Sequence, residues 1–472
     1  MPPPARPALV IGVLASCGLA VSLMQTLVVP LLPRFPQLLG ASTSTVTWLV
    51  TATLVAGAVC APVLGRLGDM YGKRRMLLVA LGLVAAGSAL GALAPGVEVL
   101  IVARVLQGAS LGVVPLGISI MRDILPPERV GSGIALMSSS LGIGGAIGLP
   151  IAGLVAQHAS WRWLFAAAAV LCALQFLVVR RVVAESATRS GGRFDLPGAI
   201  GLGAALVCLL LAISKGSDWG WRSTPVLGLF AAALVLFAVW GRMELRAPSP
   251  LVDLRVTARP AVLWTNLGSI LIGFAMFAGF LVTTQVLQAP VETGYGFGLS
   301  LVVAGLALLP IGGAMAVFSP VSARLSRRYG PRATLVSGTV VLIAGNLAMA
   351  SLPGALVLVM AAAALTAVGA ALAYSALPLL IMEAVPPTET AAANSLNTLM
   401  RMLGTSSCSA VVAAVASGLT ATVAGVTLPS AAAYTVVFLA AAGAAAGASV
   451  IAALTPHATV PAPTVDRLVP AA

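Results

Sequence analysis

Two arginines, Arg104 and Arg401, fall inside long apolar runs of a chain in which charged side chains are scarce. An arginine near the centre of a lipid-spanning helix costs roughly 2.5 to 3.5 kcal/mol to insert, so each must meet a polar cavity or a hydrogen-bonded partner. Arg104 stands only a few residues into its run, which leaves two readings: a functional cation in a polar interior, or a side chain reaching back to the interface. Arg401 lies ten residues into its run and shares a helical face with Asn394 and Asn397. That face reads either as a cavity wall or as hydrogen bonding between helices. Asp69 is a third focus, set among Arg66, Lys73, Arg74 and Arg75, with Gly65, Gly68 and Gly72 allowing close backbone approach. Asp123 and Glu383 each stand where an apolar run ends, either pairing with arginines such as Arg122, Arg129, Arg74 or Arg75 or resting in water. Met24, Gln25, Trp264, Phe274, Met276, Phe277, Gln285, Gln288 and Tyr374 would suit a cavity for a bulky apolar ligand with a few polar contacts, though any one of them equally suits a core.

The elements that position these residues follow from composition. The 472 residues are 59% hydrophobic and 8% charged, with mean hydropathy +1.06, where a soluble domain carries roughly 25% charged residues. A water-soluble globular protein is excluded. Fourteen stretches approach the roughly 20 residues that span a bilayer, near 8–33, 45–64, 76–94, 97–121, 132–156, 161–179, 196–213, 224–241, 260–285, 299–321, 333–352, 355–381, 391–416 and 431–454. With the N-terminus inside, cytoplasmic segments hold 20 basic residues and outer segments four, Arg34, Arg162, Lys215 and Arg222. This asymmetry predicts a multi-pass protein with both termini in the cytoplasm, and it accounts for the net charge of +13 without a nucleic-acid partner. The five cysteines lie in apolar runs without ligand spacing, so neither a disulfide framework nor a metal site is expected.

An internal repeat divides the chain. Gly65-Arg66-Leu67-Gly68-Asp69-Met70-Tyr71-Gly72-Lys73-Arg74-Arg75 returns 258 residues later as Ala323 to Ala333, keeping Arg, Leu, Tyr, Gly and Arg in register and replacing Asp69 with Arg327. Asp123 returns as Glu383, Gln25 as Gln285 and Pro30 as Pro290, at an offset of 260. The register predicts an all-α membrane fold of two parallel six-helix halves with an inserted hairpin. The expected units are 1–180, the insert 181–259, 260–455, and a short cytoplasmic tail 456–472.

At these residues the chain resembles the major facilitator superfamily, and more narrowly its fourteen-helix drug:proton antiporter branch. The loop 65–75 is similar to the signature G-x-L-x-D-x-x-G-x-[RK]-[RK], and Leu100-Ile101-Val102-Ala103-Arg104-Val105-Leu106-Gln107-Gly108 is similar to the fourth-helix arginine motif. Gly142, Gly144, Gly145, Gly148, Pro150 and Gly153 resemble the fifth-helix antiporter motif, with the proline two residues after Gly148 instead of one. The resemblance implies a gating latch at Asp69 and a coupling role for Arg104. Where that branch commonly carries an aspartate in the first helix, alignment on Thr26 and Pro33 places Met24. All thirteen acidic residues fall in loops, near helix ends or in the tail.

The leading expectation is a secondary active exporter in the plasma membrane, working as a monomer without cofactors. It would move amphipathic small molecules or drugs in exchange for protons. A proton-independent or differently coupled transporter of a metabolite or lipid is the alternative, and a non-transporting sensor or scaffold stands behind it. No Walker A, HExxH, GxSxG or EF-hand pattern occurs, so neither an ATP-driven pump nor a hydrolase is expected.

Overall fold

The structure is a computed structural model describing residues 7–28, 31–32, 34–352, 354–423 and 426–456. Arg6, Pro30, Pro33, His457 and Arg467, with the tail from 457 onward, lie outside the described residues. Backbone N–H and C=O groups in lipid need internal partners, and the long apolar runs meet that need as helices. The first part of the chain contains α1 (Pro7–Thr26), a short α2 (Phe35–Leu39), α3 (Thr43–Tyr71), α4 (Lys73–Ala92), α5 (Val97–Gln107), α6 (Val113–Ile124), α7 (Pro127–His158) and α8 (Arg162–Val182). A 3-10 turn at Gly108–Gly112 joins α5 to α6 as one crossing. The insert contributes α9 (Leu196–Trp219) and α10 (Thr224–Arg246), followed by a short α11 (Leu254–Thr257). Then come α12 (Pro260–Gln288), α13 (Leu301–Ala307), α14 (Leu309–Ala350), α15 (Leu356–Ala384), α16 (Thr390–Gly418) and α17 (Ala431–Leu454). Between α16 and α17, β1 (Thr420–Val423) and β2 (Val426–Pro429) pair antiparallel as a small hairpin.

Among the described residues, 13 helices are long and apolar enough to cross a membrane. One of them, Val302–Ala350, contains Gly330 with φ 84° and ψ 160°, a conformation that breaks the helix and divides it into the expected tenth and eleventh crossings. Gly330 is the repeat mate of Gly72, which separates α3 from α4 at φ 121°. The connection expected as a loop at 65–75 is therefore a single residue, because α3 stays helical through Tyr71 and α4 starts at Lys73.

In the first bundle α1 packs on α7 and α4 on α8, around Leu14, Val21, Leu81, Val84 and Cys172. In the second, α12 packs on α16, and α14 on α15 and α17, around Ile272, Ala275, Leu342, Phe438 and Ala445. The bundles meet along two seams, α3 against α16 and α7 against α13 and α14. The inserted α9 lies on both α3 and α16.

Candidate functional site

One end of the molecule, the basic end, gathers Arg66, Lys73, Arg74, Arg75 and Arg122. Asp69 sits there in the last turn of α3, 0% exposed. Its two carboxylate oxygens accept hydrogen bonds from the backbone N–H groups of Ala391 (3.2 Å) and Ala392 (2.8 Å), in the first turn of α16. These N–H groups have no partner within their own helix and carry the positive end of its dipole, so a carboxylate there is favoured by both charge and geometry. One turn earlier Gly65 backs onto the same helix, where a Cβ would stand 2.7 Å from the Ala391 carbonyl oxygen. Asp69 thus ties one bundle to the other.

Behind it Lys73, also 0% exposed, lies 3.6 Å from Asp69 and 2.6 Å from Asp123. The Ser186 hydroxyl donates to Asp123 as well. Arg122 donates across the seam to the Thr390 hydroxyl at 2.9 Å. Of the arginines expected near Asp123, Arg122 lies close enough to feel its charge, but the direct ion pair is with Lys73, whose ammonium shares one small buried space with two carboxylates. Arg74 and Arg75 face a different group: their backbone N–H groups donate to Glu185 at 2.9 and 3.1 Å, capping α4, and the Arg74 guanidinium reaches the Arg180 carbonyl. That carboxylate would lie 2.8 Å from a Cβ on Gly72, so glycine is needed there for space as well as for its positive φ. Glu383 is exposed at the end of α15, and the repeat mate of Lys73 is Pro331, so the buried lysine pairing has no counterpart there.

Between the bundles, where α3, α12, α15 and α16 are about halfway along, lies a cavity of ≈ 280 Å³. Gln25, Leu111 and Gly145 line it from the first bundle, Phe277, Tyr374 and Arg401 from the second. Arg401 is 6% exposed; it donates to the Thr398 hydroxyl at 3.1 Å and stands 4.8 Å from the centroid of the Tyr374 ring. Among the described residues the lining contains no Asp or Glu.

Several residues expected at the cavity are elsewhere. Met24 packs against Cys172 inside the first bundle. Asn397 donates to Asn266 (3.0 Å) and Ser269 (2.7 Å) of α12, while Asn394 bonds back to the Thr390 carbonyl. The polar face of α16 therefore meets α12 toward the basic end and opens on the cavity at Arg401. The same contact, with Gly273 against the Arg401 carbonyl, fixes the rotation of α12 and turns Trp264 outward. Phe274 packs into the second core, Gln285 is half-buried near the end of α12, and Gln288 is exposed.

Arg104 is 3% exposed and does not reach an interface. It donates to the Leu49 carbonyl (2.9 Å) and to Gln107 (2.7 Å), whose amide donates on to Ser88 (2.8 Å), joining α3, α4 and α5. The glycine-rich α7 presents two faces. Gly144 and Gly148 admit Ser22 and Thr26 of α1, whereas Gly142, Pro150 and Gly153 meet Met315, Gly305 and Val302 across the second seam.

A family model described as Major Facilitator Superfamily matches residues 14–407. The chain belongs to the Major Facilitator Superfamily. Within the superfamily it is 33% identical over 339 residues to the tetracenomycin C resistance and export protein of Streptomyces glaucescens, covering 70% of this chain and 61% of that protein. It is 31% identical over 302 residues to the lincomycin resistance protein of Streptomyces lincolnensis, covering 62% of each. The matches thus span about three fifths of these relatives' length. Two solved structures share the fold: the human organic anion transporter MFSD10 (TETRAN), with TM-score 0.67, 18% identity and coverage of 96% and 100%, and the proton:xylose symporter XylE, with TM-score 0.61, 14% identity and coverage of 93% and 94%.

Two buried charges escaped the sequence reading. Lys215, read as an outer-loop residue, lies in α9 at 0% exposure. It donates to the Thr47 hydroxyl and to Asp218 (3.1 Å) beside the Trp48 ring, while Ser214 bonds Thr51 at 2.9 Å. Together these contacts fasten the insert to α3. Glu244 lies near the end of α10, within the expected loop and helix-end positions of the acidic residues, yet it is buried, beside Gly198. A signal for the first was present: among 24 arginines the chain has two lysines, Lys73 and Lys215, and both are buried and ion-paired.

Proposed function

We propose that this protein is a secondary active exporter of amphipathic small molecules, working by alternating access of its two bundles around the central cavity. The observation that carries this reading is a cavity lined from both bundles, with the seam between them held at the basic end by Asp69. Opening and closing that seam exposes the cavity to one side at a time. Support for export comes from relatives named for tetracenomycin C export and lincomycin resistance. The excess of basic residues at the Asp69 end supports a plasma-membrane orientation with both termini in the cytoplasm. In this reading residues 1–180 and 260–455 are the moving halves, 181–259 is a companion that rests on both and is fastened to the first through Lys215 and Ser214, and a monomer suffices.

The roles follow from position. Asp69, with Gly65 and the Lys73–Asp123 pair behind it, is the cytoplasmic latch. Gln25, Phe277, Tyr374 and Arg401 meet the substrate, and Arg104 stiffens the first half. Gly142, Pro150 and Gly153 form the seam along which α7 slides. Exchange for protons is the proposed energy source, and the buried carboxylates Asp69, Asp123 and Glu244 are the groups available to carry it. Proteoliposomes loaded with an amphipathic drug test the proposal: an imposed pH gradient is expected to accelerate its movement across the membrane. Movement indifferent to the gradient would remove the coupling, and no movement in any of a broad drug panel would remove the transport reading.

A further inference from the structure

The two buried arginines differ in what surrounds them. Arg104 donates from two of its five N–H groups, to the Leu49 carbonyl and to Gln107, and these partners lie within its own bundle and away from the central cavity. Arg401 is buried nearly as deeply, yet of its five N–H donors the Thr398 hydroxyl engages one, and the Tyr374 ring face supplies the remaining attraction. It lines the central cavity, where no carboxylate among the described residues faces it. An uncompensated guanidinium in a low-dielectric, membrane-embedded space is a strong attractor for an anion. Most of the wall is apolar, with Met276, Phe277, Phe280 and Met315 among its residues, while Gln25 adds an amide from the first bundle and Ser and Thr hydroxyls add uncharged polar groups.

We propose that the cavity selects amphipathic organic anions, with Arg401 binding the anionic group and the Phe and Met side chains holding an aromatic or alkyl body. This deepens the transport reading and rests on it for the direction of movement, although binding alone tests the selectivity. A cation would meet like charge at Arg401 with no counter-charge in the wall. A neutral amphipath would fill the same apolar volume but leave the guanidinium unmatched.

The test uses two fluorescent probes that share one skeleton, 8-anilinonaphthalene-1-sulfonate and its uncharged parent N-phenyl-1-naphthylamine. Saturable binding is measured on the full chain in nanodiscs and corrected with empty discs. The wild type is expected to prefer the sulfonate by about tenfold or more, the effect of a charge-assisted hydrogen bond. Arg401→Gln should abolish the preference, and Arg401→Lys should keep part of it. A wild type that fails to bind the sulfonate or prefers the neutral probe, or an unchanged preference in a folded Arg401→Gln, overturns the inference. If Arg401→Gln does not fold, the wild-type preference and the Arg401→Lys affinity decide. Selective binding without movement across proteoliposomes would remove the transport reading alone.

Discussion

Asp69 and Arg327 stand at equivalent positions 258 residues apart, and each reaches the first turn of a helix in the opposite bundle. Asp69 accepts from Ala391 and Ala392 of α16, whereas Arg327 donates to the Glu128 carbonyl of α7 at 3.4 Å from an exposed position. A carboxylate suits the positive end of a helix and a guanidinium does not, so the repeat places one strong and one weak tie at the same end.

Asp69→Asn is therefore expected to lower transport about tenfold or more, the effect of losing roughly 1.5 to 3 kcal/mol of charge-assisted hydrogen bonding. Arg327→Ala should stay within about twofold of the wild type. Initial rates in proteoliposomes check both, with expression and Tm as controls for folding. Equal effects of the two substitutions would discard the idea that the α3–α16 seam dominates closure.

Gly65→Val should hold that seam apart, because any Cβ there stands 2.7 Å from the Ala391 carbonyl oxygen. The readout is labelling of a cysteine placed at Ser395 by a water-soluble maleimide, in a background without the native cysteines. Labelling should rise severalfold when Gly65→Val is added, and an unchanged rate would mean the helices are not held close at this point.

Gly72→Ala and Gly330→Ala separate backbone strain from crowding. Both residues have positive φ, at 121° and 84°, where a Cβ costs roughly 1 to 3 kcal/mol. Gly72 also faces the Glu185 carboxylate at 2.8 Å, whereas a Cβ on Gly330 meets open space. Gly72→Ala should lower Tm by more, and equal losses would remove Glu185 from the account.

Thr51→Cys combined with Ser214→Cys should cross-link on mild oxidation, since the two hydroxyl oxygens lie 2.9 Å apart on α3 and α9. The five native cysteines are first replaced, and mobility on a gel after cleavage between the two positions reports the bond. No cross-link would mean that the insert does not rest on α3 in the membrane.

Much of this architecture is legible in the sequence because it depends on local quantities. Run length, basic residues at run ends and an internal offset are sufficient for the crossings and the halves. The site is less legible, since it depends on how each helix is rotated. Arg401, Asn397 and Asn394 share one face, but of the three only Arg401 reaches the cavity, because Asn266 and Ser269 of α12 engage Asn397 and Asn394 turns back to the Thr390 carbonyl of its own helix. That same contact turns Trp264 away from the cavity while Phe277 faces it. The partner of Asp123 was missed because Lys73 looked like one of several loop cations, when it begins a helix separated from α3 by a single glycine.

The receiving side of the Asp69 contact is main chain, and this shapes how the protein tolerates change. Residues 391 and 392 supply N–H groups that every amino acid except proline possesses, so the bond to Asp69 does not itself read their side chains, although burial at 0% exposure holds position 391 to a small residue. Statistical coupling between positions would find no mate for Asp69 at either place. The side-chain requirement of this contact therefore falls on the first bundle, at Asp69 and Gly65, and the second bundle meets it with main chain.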